Sequence, residues 1–214
     1  GRAEREAAAA YEKAAGELSR LRRDAARRLA RKVEQELATL AMERSVFRAE
    51  VSDAAWSERG ADQVRFLVSP NPGEEPRALE KVASGGEISR IALALKTCAA
   101  SGGTAPAAGA PRTLVFDEVD AGIGGRAAEV VGRRLKQIAG ADQVLCVTHL
   151  PQIAGFADHH YYVEKKEAGG RTTATVAELS GEARTREVAR MLSGETLTPE
   201  ALKHAGKLIR MASG

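Results

Sequence analysis

The sequence predicts an α/β domain with a parallel-sheet core, preceded by one long helix. Two short apolar stretches, at 113–116 and 143–149, flank a helical pattern, and further helical patterns precede and follow them. Such β-α-β alternation with continuously apolar strands indicates a parallel sheet covered on both faces, with both strands buried. The first 44 or so residues form one helical pattern without proline. We therefore divide the chain into a helical arm, 1–45, and a sheet domain, 46–214.

The composition is that of a globular protein, with 214 residues, 43% apolar and 29% charged residues and a net charge of +3. This charge permits contact with nucleic acid without requiring it. Cys98 and Cys146 both lie in apolar runs, which predicts reduced thiols in a cytosolic protein. No apolar run approaches the roughly 20 residues of a membrane span, and the charged N-terminus does not resemble a signal peptide.

The N-terminal helix carries one narrow apolar stripe on an otherwise charged surface. Leucines recur eleven residues apart, and the stripe consists of Leu18, Leu21, Ala25, Leu29, Val33, Leu37 and Leu40. Such a stripe favours a two-stranded coiled coil. The alternative is a surface helix folded back on the domain.

A band of positive charge lies on the same helix. Between Arg20 and Lys32 seven basic residues face one acid, Asp24. Such a band is usually a solvated helix face, and contact with a DNA backbone is the functional alternative.

The remaining helices and strands are predicted from the spacing of apolar residues and from the turn residues between them. Alternation at 46–51 and 63–69 predicts a hairpin-like pair of strands, with a turn at 56–60. Helices are predicted at 87–100, 126–139, 185–192 and 199–211, and a second hairpin at 161–179. The segment 101–111 is a low-complexity connector.

Three features lie at predicted strand or helix ends. Asp117 and Glu118 follow the apolar strand in TLVFDEVDAGIGG, with Asp120 two residues later. In open α/β sheets ligands bind outside the carboxyl ends of strands. This pattern is typical of a Walker B segment, in which Asp holds Mg²⁺ and Glu activates water. Carboxylates that cap the next helix are the structural alternative.

The glycines after these acids fit G-x-G-x-x-A over 122–127. We discount a dinucleotide fingerprint, because the three preceding acids would repel a pyrophosphate. The glycines instead allow a sharp turn into the next helix or close approach of another subunit.

The second feature is Ser84-Gly85-Gly86-Glu87, directly before an amphipathic helix. Ser84 and Glu87 have the spacing of a capping box. A capping box does not need two glycines, which make sense where the backbone approaches a ligand. A helix start with free N–H groups and a serine hydroxyl suits a phosphate. The third feature is His149, at the end of VLCVTH, although a lone histidine is more often structural.

In this order, Ser-Gly-Gly-Glu, Val-Phe-Asp-Glu and Val-Thr-His resemble the C-terminal half of an ABC-type ATPase head. The longer segments VASGGEISRIALALK, TLVFDEVDAGIGG and CVTHLPQIAGFADHH are similar to the SMC-like (structural maintenance of chromosomes) ATPases of DNA repair. The resemblance covers roughly residues 45–212. It implies the C-terminal lobe of an ABC/SMC-type head, with 1–45 as the C-terminal arm of an antiparallel coiled coil.

The resemblance also implies roles. Asp117 would bind Mg²⁺, Glu118 would be the general base, and His149 would contact the γ-phosphate of ATP. The signature segment Ser84–Glu87 would contact, mainly through Ser84 and Gly86, the γ-phosphate held by the opposite head. Asp120 would lie in the D-loop across that head–head interface.

One departure limits this reading. No G-x-x-x-x-G-K-[ST] phosphate loop is present in the sequence, and no Gln-containing loop is identifiable. The chain also begins without Met and inside a helical pattern. We therefore expect a fragment that lacks an N-terminal Walker A lobe and is inactive alone. The expected partners are that lobe, a second head in a homodimer, and DNA, with no membrane.

The function implied is ATP-driven recombinational repair of DNA double-strand breaks in the cytoplasm, at the nucleoid. A non-enzymatic architectural module that tethers DNA ends is the alternative, and it would tolerate loss of Glu118. The nucleotide domain of a transporter also fits the motifs, but the long N-terminal helix and the absence of transporter-like flanks disfavour it.

Overall fold

The structure is a computed structural model that describes residues 1–71, 73–82, 84–100, 112–168 and 171–212. The chain forms two compact units, Gly1–Ala107 and Ala108–Gly214, each described by itself below. The connector predicted at 101–111 lies outside the described residues, as do the glycines at the predicted tip of the second hairpin.

The first unit is a long helix packed on an antiparallel hairpin. Its elements are, in chain order, α1 (Arg2–Thr39), β1 (Val46–Ser57), β2 (Gly60–Ser69), β3 (Arg77–Ala78), a short 3-10 turn (Leu79–Lys81) and α2 (Gly85–Ala100). β1 and β2 pair from Val46↔Ser69 to Asp53↔Asp62, which confirms the predicted hairpin. The strands run further than predicted, so that the turn is confined to residues 58–59.

Polar contacts join α1 to the far end of the hairpin. The Tyr11 hydroxyl exchanges 3.1 Å hydrogen bonds with both backbone groups of Ser57, and its ring lies 4.4 Å from that of Trp56. Ser19 Oγ lies 2.8 Å from both carboxylate oxygens of Asp62. Arg22 adds a 3.2 Å ion pair to the same carboxylate, whose side chain is 1% exposed.

The stripe predicted on α1 is buried only at its C-terminal end. Val33, Leu37 and Leu40 are fully buried, whereas Leu21 is 50% exposed. Toward the N-terminus the buried face is instead formed by small residues, including Ala15 and Ser19. In this chain α1 therefore packs back on its own domain, through the predicted stripe near its C-terminal end and through a neighbouring face toward its N-terminus, which was the alternative expectation.

The basic band of α1 is partly used within the chain. Arg22 pairs with Asp62, Arg23 pairs with Asp53, and Arg20 and Arg27 both reach Asp24. The basic residues from 28 to 32 are largely exposed. Contact of this band with DNA stays a prediction.

Acid should weaken the contact between α1 and the hairpin. The Ser19 hydroxyl, and more weakly Arg22, hold the pKa of Asp62 below its ordinary value of 3.8, against an opposing effect of burial. Because the folded pKa is the lower one, the stabilisation is complete above pH 3.8 and is lost as the pH falls through the folded pKa.

Asp62→Asn should therefore reduce the fall in unfolding temperature below about pH 4, measured by circular dichroism of the 214-residue chain. The matched control is Asp53→Asn on the same hairpin, whose carboxylate is 93% exposed. An equal acid response in both variants would contradict this role for Asp62.

The second unit is built around two parallel strands. Its elements are β4 (Thr113–Phe116), α3 (Gly125–Ile138), β5 (Gln143–Cys146), α4 (Pro151–Ala154), β6 (His160–Ala168), β7 (Arg171–Leu179), α5 (Gly181–Ser193) and α6 (Pro199–Ala212). β4 and β5 pair in parallel from Thr113↔Gln143 to Phe116↔Cys146, which confirms the predicted β-α-β unit. β6 and β7 form the predicted second hairpin.

The prediction that β4 and β5 are buried is wrong for the described residues. Val115 is 66% exposed, and Leu145 and Val147 are 48% and 64% exposed. Alternate residues such as Phe116 are buried. Burial on both faces needs a cover on each, and within this unit only one face of the strand pair is packed.

Helices complete the second unit. Val131, Leu135 and Ile138 form the buried face of α3. At Gly132 an added Cβ would lie 2.5 Å from the Phe156 ring, so a glycine is required where α3 meets the segment after α4. α5 and α6 pack through a small core of Val188, Ala189 and Ala205, surrounded by Leu192, Ala201, Leu202, Leu208 and Ile209.

No helix within the described residues is long and apolar enough to cross a membrane.

Candidate nucleotide-hydrolysis site

Asp117 and Glu118 lie where the chain leaves β4. Both are exposed, and the Asp117 carboxylate accepts the backbone N–H of Glu118 at 2.9 Å. Glu118 has a φ of +55°, a left-handed conformation that costs a non-glycine residue about 1–2 kcal/mol. Its carbonyl accepts the N–H of Ala121 at 2.9 Å and so closes a tight turn. Strain of this kind is concentrated at functional sites.

The parallel pairing brings the end of β5 to the same edge of the sheet. The N–H of Val147 still bonds to the carbonyl of Phe116 at 3.0 Å, beyond the last ladder pair. Thr148 and His149 follow directly. Asp117 and Glu118 on one strand and His149 on the other therefore lie at the carboxyl ends of two adjacent strands.

Asp120 links the two strand ends. Its carboxylate is 5% exposed, and its Oδ2 accepts the Thr148 hydroxyl at 2.5 Å and the His149 backbone N–H at 3.0 Å. His149 Nδ1 lies 3.0 Å from the same oxygen, although the histidine side chain is 75% exposed. A buried carboxylate needs such partners, because an unpaired one would be costly to desolvate.

The Asp120 carboxylate is buried inside its own unit, and Ala121 and Gly122, which follow it, are exposed. The place of Asp120 in a D-loop across a head–head interface stays a prediction. Sequence reasoning also missed Thr148. The signal that could have found it is Thr-His directly after a strand that pairs in parallel with the Asp117 strand.

The glycines after Asp120 provide a turn, as predicted. Gly122 and Gly125 have φ values of +72° and +53°. An added Cβ at either would meet nothing within 4 Å, so in this unit their backbone conformation explains the glycines. The turn leads directly into α3.

Cys146 precedes this cluster and is not a reactive thiol. Burial, with smaller effects of Asp120 and Asp117, raises its pKa to about 12. The thiol therefore stays protonated near neutral pH and is a poor nucleophile and a poor metal ligand. Cys98 is buried and Cys146 is half-buried, and neither forms a disulfide bond within the described residues.

Asp117 fits one ligand of a magnesium ion. Within the described residues no group of three or more His, Cys, Asp or Glu side chains is arranged to hold a metal. Magnesium in nucleotide sites is bound by one or two carboxylates together with phosphate oxygens and water. One exposed carboxylate is therefore a sufficient contribution from this side of the site.

The Ser84–Glu87 segment lies in the first unit, at the start of α2. The helix begins at Gly85, two residues earlier than predicted, so both glycines lie in its first turn. The Ser84 carbonyl accepts the N–H of Ile88 at 3.0 Å, and its hydroxyl accepts the N–H of Glu87 at 3.4 Å. Ser84 and Gly85 are exposed, Gly86 is buried and Glu87 is half-buried. The serine thus begins the helix, with a long capping bond.

Known proteins support the family assignment. The DNA repair protein RecN of Halalkalibacterium halodurans is 40% identical over 203 residues, which cover 92% of this chain and 34% of that protein. RecN of Rickettsia bellii is 42% identical over 200 residues, covering 93% and 35%. Over this span the chain is RecN-like. RecN of Bacillus subtilis is 37% identical over 214 residues, covering 92% of this chain and 36% of that protein.

The three long segments were the basis of the resemblance, and these relatives confirm it as a resemblance to the DNA repair protein RecN. The chain spans about a third of the length of these RecN proteins. No protein-family model matches the chain.

Solved structures of SMC heads are more distant. A crystal structure of the Smc head domain with a coiled coil and joint from Pyrococcus yayanosii is 19% identical, with a TM-score of 0.49, and covers 77% of this chain and 29% of that one. A structure from a study of ATP-driven dimerization of SMC ATPases is 17% identical with a TM-score of 0.45, and covers 83% and 99%. The likeness is too small to carry a further argument.

Proposed function

We propose that this chain is the C-terminal part of an SMC-like ATPase that repairs DNA double-strand breaks by recombination. The observation that carries the proposal is the meeting of Asp117, Glu118 and His149 at one sheet edge, in a chain related to RecN. Because its substrate would be the bacterial chromosome, we expect the protein to act in the cytoplasm, at the nucleoid.

In the second unit, Asp117, Glu118 and His149 would each have a separate role in ATP hydrolysis. Asp117 would hold a magnesium ion, which would supply positive charge beside the phosphates of ATP. Glu118 takes a proton from water as the water oxygen attacks the γ-phosphorus. The bond to the bridging oxygen breaks and ADP leaves with that electron pair. His149 donates a hydrogen bond to a γ-phosphate oxygen.

The first unit contributes to a second copy of the site. At the start of α2 the exposed Ser84 and Gly85 would contact the γ-phosphate of ATP held by the opposite head of a homodimer, whereas Gly86, for which the same contact was expected, is buried in its own unit. An exposed hydroxyl at a helix start suits this, because N–H groups there carry partial positive charge. ATP would thus hold two heads together until hydrolysis removes the contact.

The missing phosphate loop implies a further partner. The sequence has no G-x-x-x-x-G-K-[ST], and one face of the β4–β5 pair exposes Val115, Leu145 and Val147. Parallel strands are normally covered on both faces. The N-terminal Walker A lobe of the same protein would supply both the phosphate loop and the cover, and 1–45 would be the returning arm of the coiled coil that joins the lobes.

This proposal predicts that activity requires both lobes. The isolated 214-residue chain should hydrolyse ATP no faster than buffer, because nothing cradles the β- and γ-phosphates. Adding a separately expressed N-terminal lobe should restore turnover, measured as phosphate release. If the isolated chain hydrolysed ATP at the rate of the full-length protein, the proposal that hydrolysis requires both lobes would be wrong.

A further inference from the structure

We propose that one face of α6 binds the phosphate backbone of duplex DNA. This face, the α6 basic face, consists of Lys203, His204, Lys207 and Arg210, all of which are exposed. Together with Glu200 they line one surface recess of about 310 Å³. The choice of DNA among polyanions rests on the proposed function, whereas the charge and burial that define the face lie entirely within the second unit.

The spacing of the basic residues suits a row of phosphates. Lys203, Lys207 and Arg210 are four and three residues apart, so they form one stripe along the helix, with His204 beside it. At a rise of about 1.5 Å per residue this stripe is roughly 10 Å long. One strand of a duplex carries a phosphate about every 3.4 Å of helix axis. The stripe is therefore long enough to meet about three phosphates of one strand.

The charge of the α6 basic face is not used inside the protein. Within the part of the chain that the structure describes, neither its four residues nor Glu200 forms an ion pair. On the neighbouring α5, by contrast, Arg186 pairs with Glu182 at 3.2 Å. Basic side chains also complement the negative C-terminal end of a helix dipole, which explains Arg210 in the last turn. It does not explain Lys203, which lies in the first half of α6.

The opposite face of α6 decides between DNA and a lipid surface. A basic helix that lies on a membrane inserts its apolar face among the lipids. In α6 that face is already packed in the core shared with α5, through Leu202, Ala205, Leu208 and Ile209. Met211, at the end of the helix, is 59% exposed, and one side chain does not form an inserting face. A phosphate backbone needs charged contacts without apolar insertion, so it fits the face that remains.

The test measures binding of a short fluorescent DNA duplex to the 214-residue chain by anisotropy, between about 50 and 200 mM salt. The double variant Lys203→Gln with Lys207→Gln should bind roughly ten-fold more weakly or worse. The slope of log affinity against log salt should fall in magnitude by about 2, because each phosphate contact contributes about 0.9. An affinity and slope equal to those of the wild type would overturn the proposal, as would a wild-type chain that does not bind the duplex.

The matched control is Lys166→Gln with Arg186→Gln, which removes the same charge from the same unit. These two side chains are each 64% exposed and already pair with acids, Glu164 at 3.0 Å and Glu182 at 3.2 Å. The control should leave the salt slope unchanged. An equal loss of affinity in both double variants would show that net charge, and not the α6 basic face, is responsible. Replacing both α6 lysines by arginine should retain binding, because the charge is kept.

A second measurement uses vesicles of phosphatidylserine and phosphatidylcholine, to which the chain should not bind. Vesicle binding that is lost with the two α6 lysines, without binding of the duplex, would assign the face to a membrane and overturn the proposal. ATP turnover does not enter either measurement. If turnover of the full-length protein does not depend on Glu118, the proposed function fails and the DNA result stands. If the α6 variant binds DNA like the wild type, this inference fails and the ATPase proposal stands.

Discussion

Replacing Glu118 by Gln in the full-length protein is expected to lower ATP turnover at least about 100-fold while ATP binding persists. A positioned general base contributes about 10²–10⁴-fold to a rate. Glutamine keeps the size of the side chain and does not accept a proton at neutral pH. The measurement is steady-state phosphate release, with nucleotide binding followed in parallel by a fluorescent ATP analogue.

The same variant should accumulate the ATP-bound state of the head dimer. Without hydrolysis the contacts from the Ser84 segment of one head to the γ-phosphate on the other would persist. Size-exclusion chromatography with ATP should therefore show more dimer for Glu118→Gln than for the wild type. Glu182→Gln is a suitable control, because the Glu182 carboxylate is 81% exposed and forms an ion pair with Arg186, one helical turn away.

The Glu118→Gln variant also distinguishes an ATPase from a non-enzymatic protein that only tethers DNA ends. A protein that only holds DNA ends would repair breaks equally well with Gln at position 118. Complementation of a repair-deficient strain by Glu118→Gln at wild-type level would therefore contradict the enzymatic proposal. The unfolding temperature should not change, because Gln adopts the left-handed backbone of Glu118 at the same cost.

The sequence predicted the order of the elements and the position of the two candidate acids, Asp117 and Glu118, for the same reason. Strand ends in a parallel sheet are marked by the change from apolar to acidic residues, as at Phe116-Asp117. The extra length of β1 was less visible, because Ser52 to Ser57 lacks regular alternation. That part of the strand is held from outside, by the Tyr11 hydroxyl and ring on α1.

The burial of Asp120 was not predictable from its neighbours alone. In sequence it is a third acid after the strand, and the expectation placed it in a D-loop or among carboxylates that cap the next helix. Its burial depends on Thr148 and His149, 28 and 29 residues away, and on the parallel register that brings them together. Long-range hydrogen bonds of this kind leave no periodic signal.

The stripe on α1 shows the limit of helical periodicity. A leucine pattern reports that a face is apolar and does not identify what covers it. Near the N-terminus of α1, the face that packs on the hairpin contains Ala15 and Ser19. The buried Asp62 carboxylate of the hairpin needs polar partners there, which Ser19 and Arg22 provide and a leucine could not. The exposed Leu21 is then available to the second arm of the proposed coiled coil.

Leu37→Ala and Leu21→Ala should accordingly have very different effects on the 214-residue chain. Leu37 is fully buried, and removing a buried leucine side chain costs about 2–5 kcal/mol of unfolding free energy. Leu21 belongs to the same predicted stripe and is 50% exposed, so its replacement should stay within about 0.5 kcal/mol. Chemical denaturation followed by circular dichroism measures both.

The same pair tests the proposed arm when it is repeated in the full-length protein. If the second arm of a coiled coil covers Leu21 there, Leu21→Ala should destabilise the longer protein by more than it does the isolated chain, because a contact absent from the fragment is lost. Leu37→Ala should cost about the same in both, since its burial is complete within the first unit. Equal and small effects of Leu21→Ala in the two proteins would show that the exposed part of the stripe has no partner, and the coiled-coil assignment of 1–45 would then fail while the packing of α1 on the hairpin would stand.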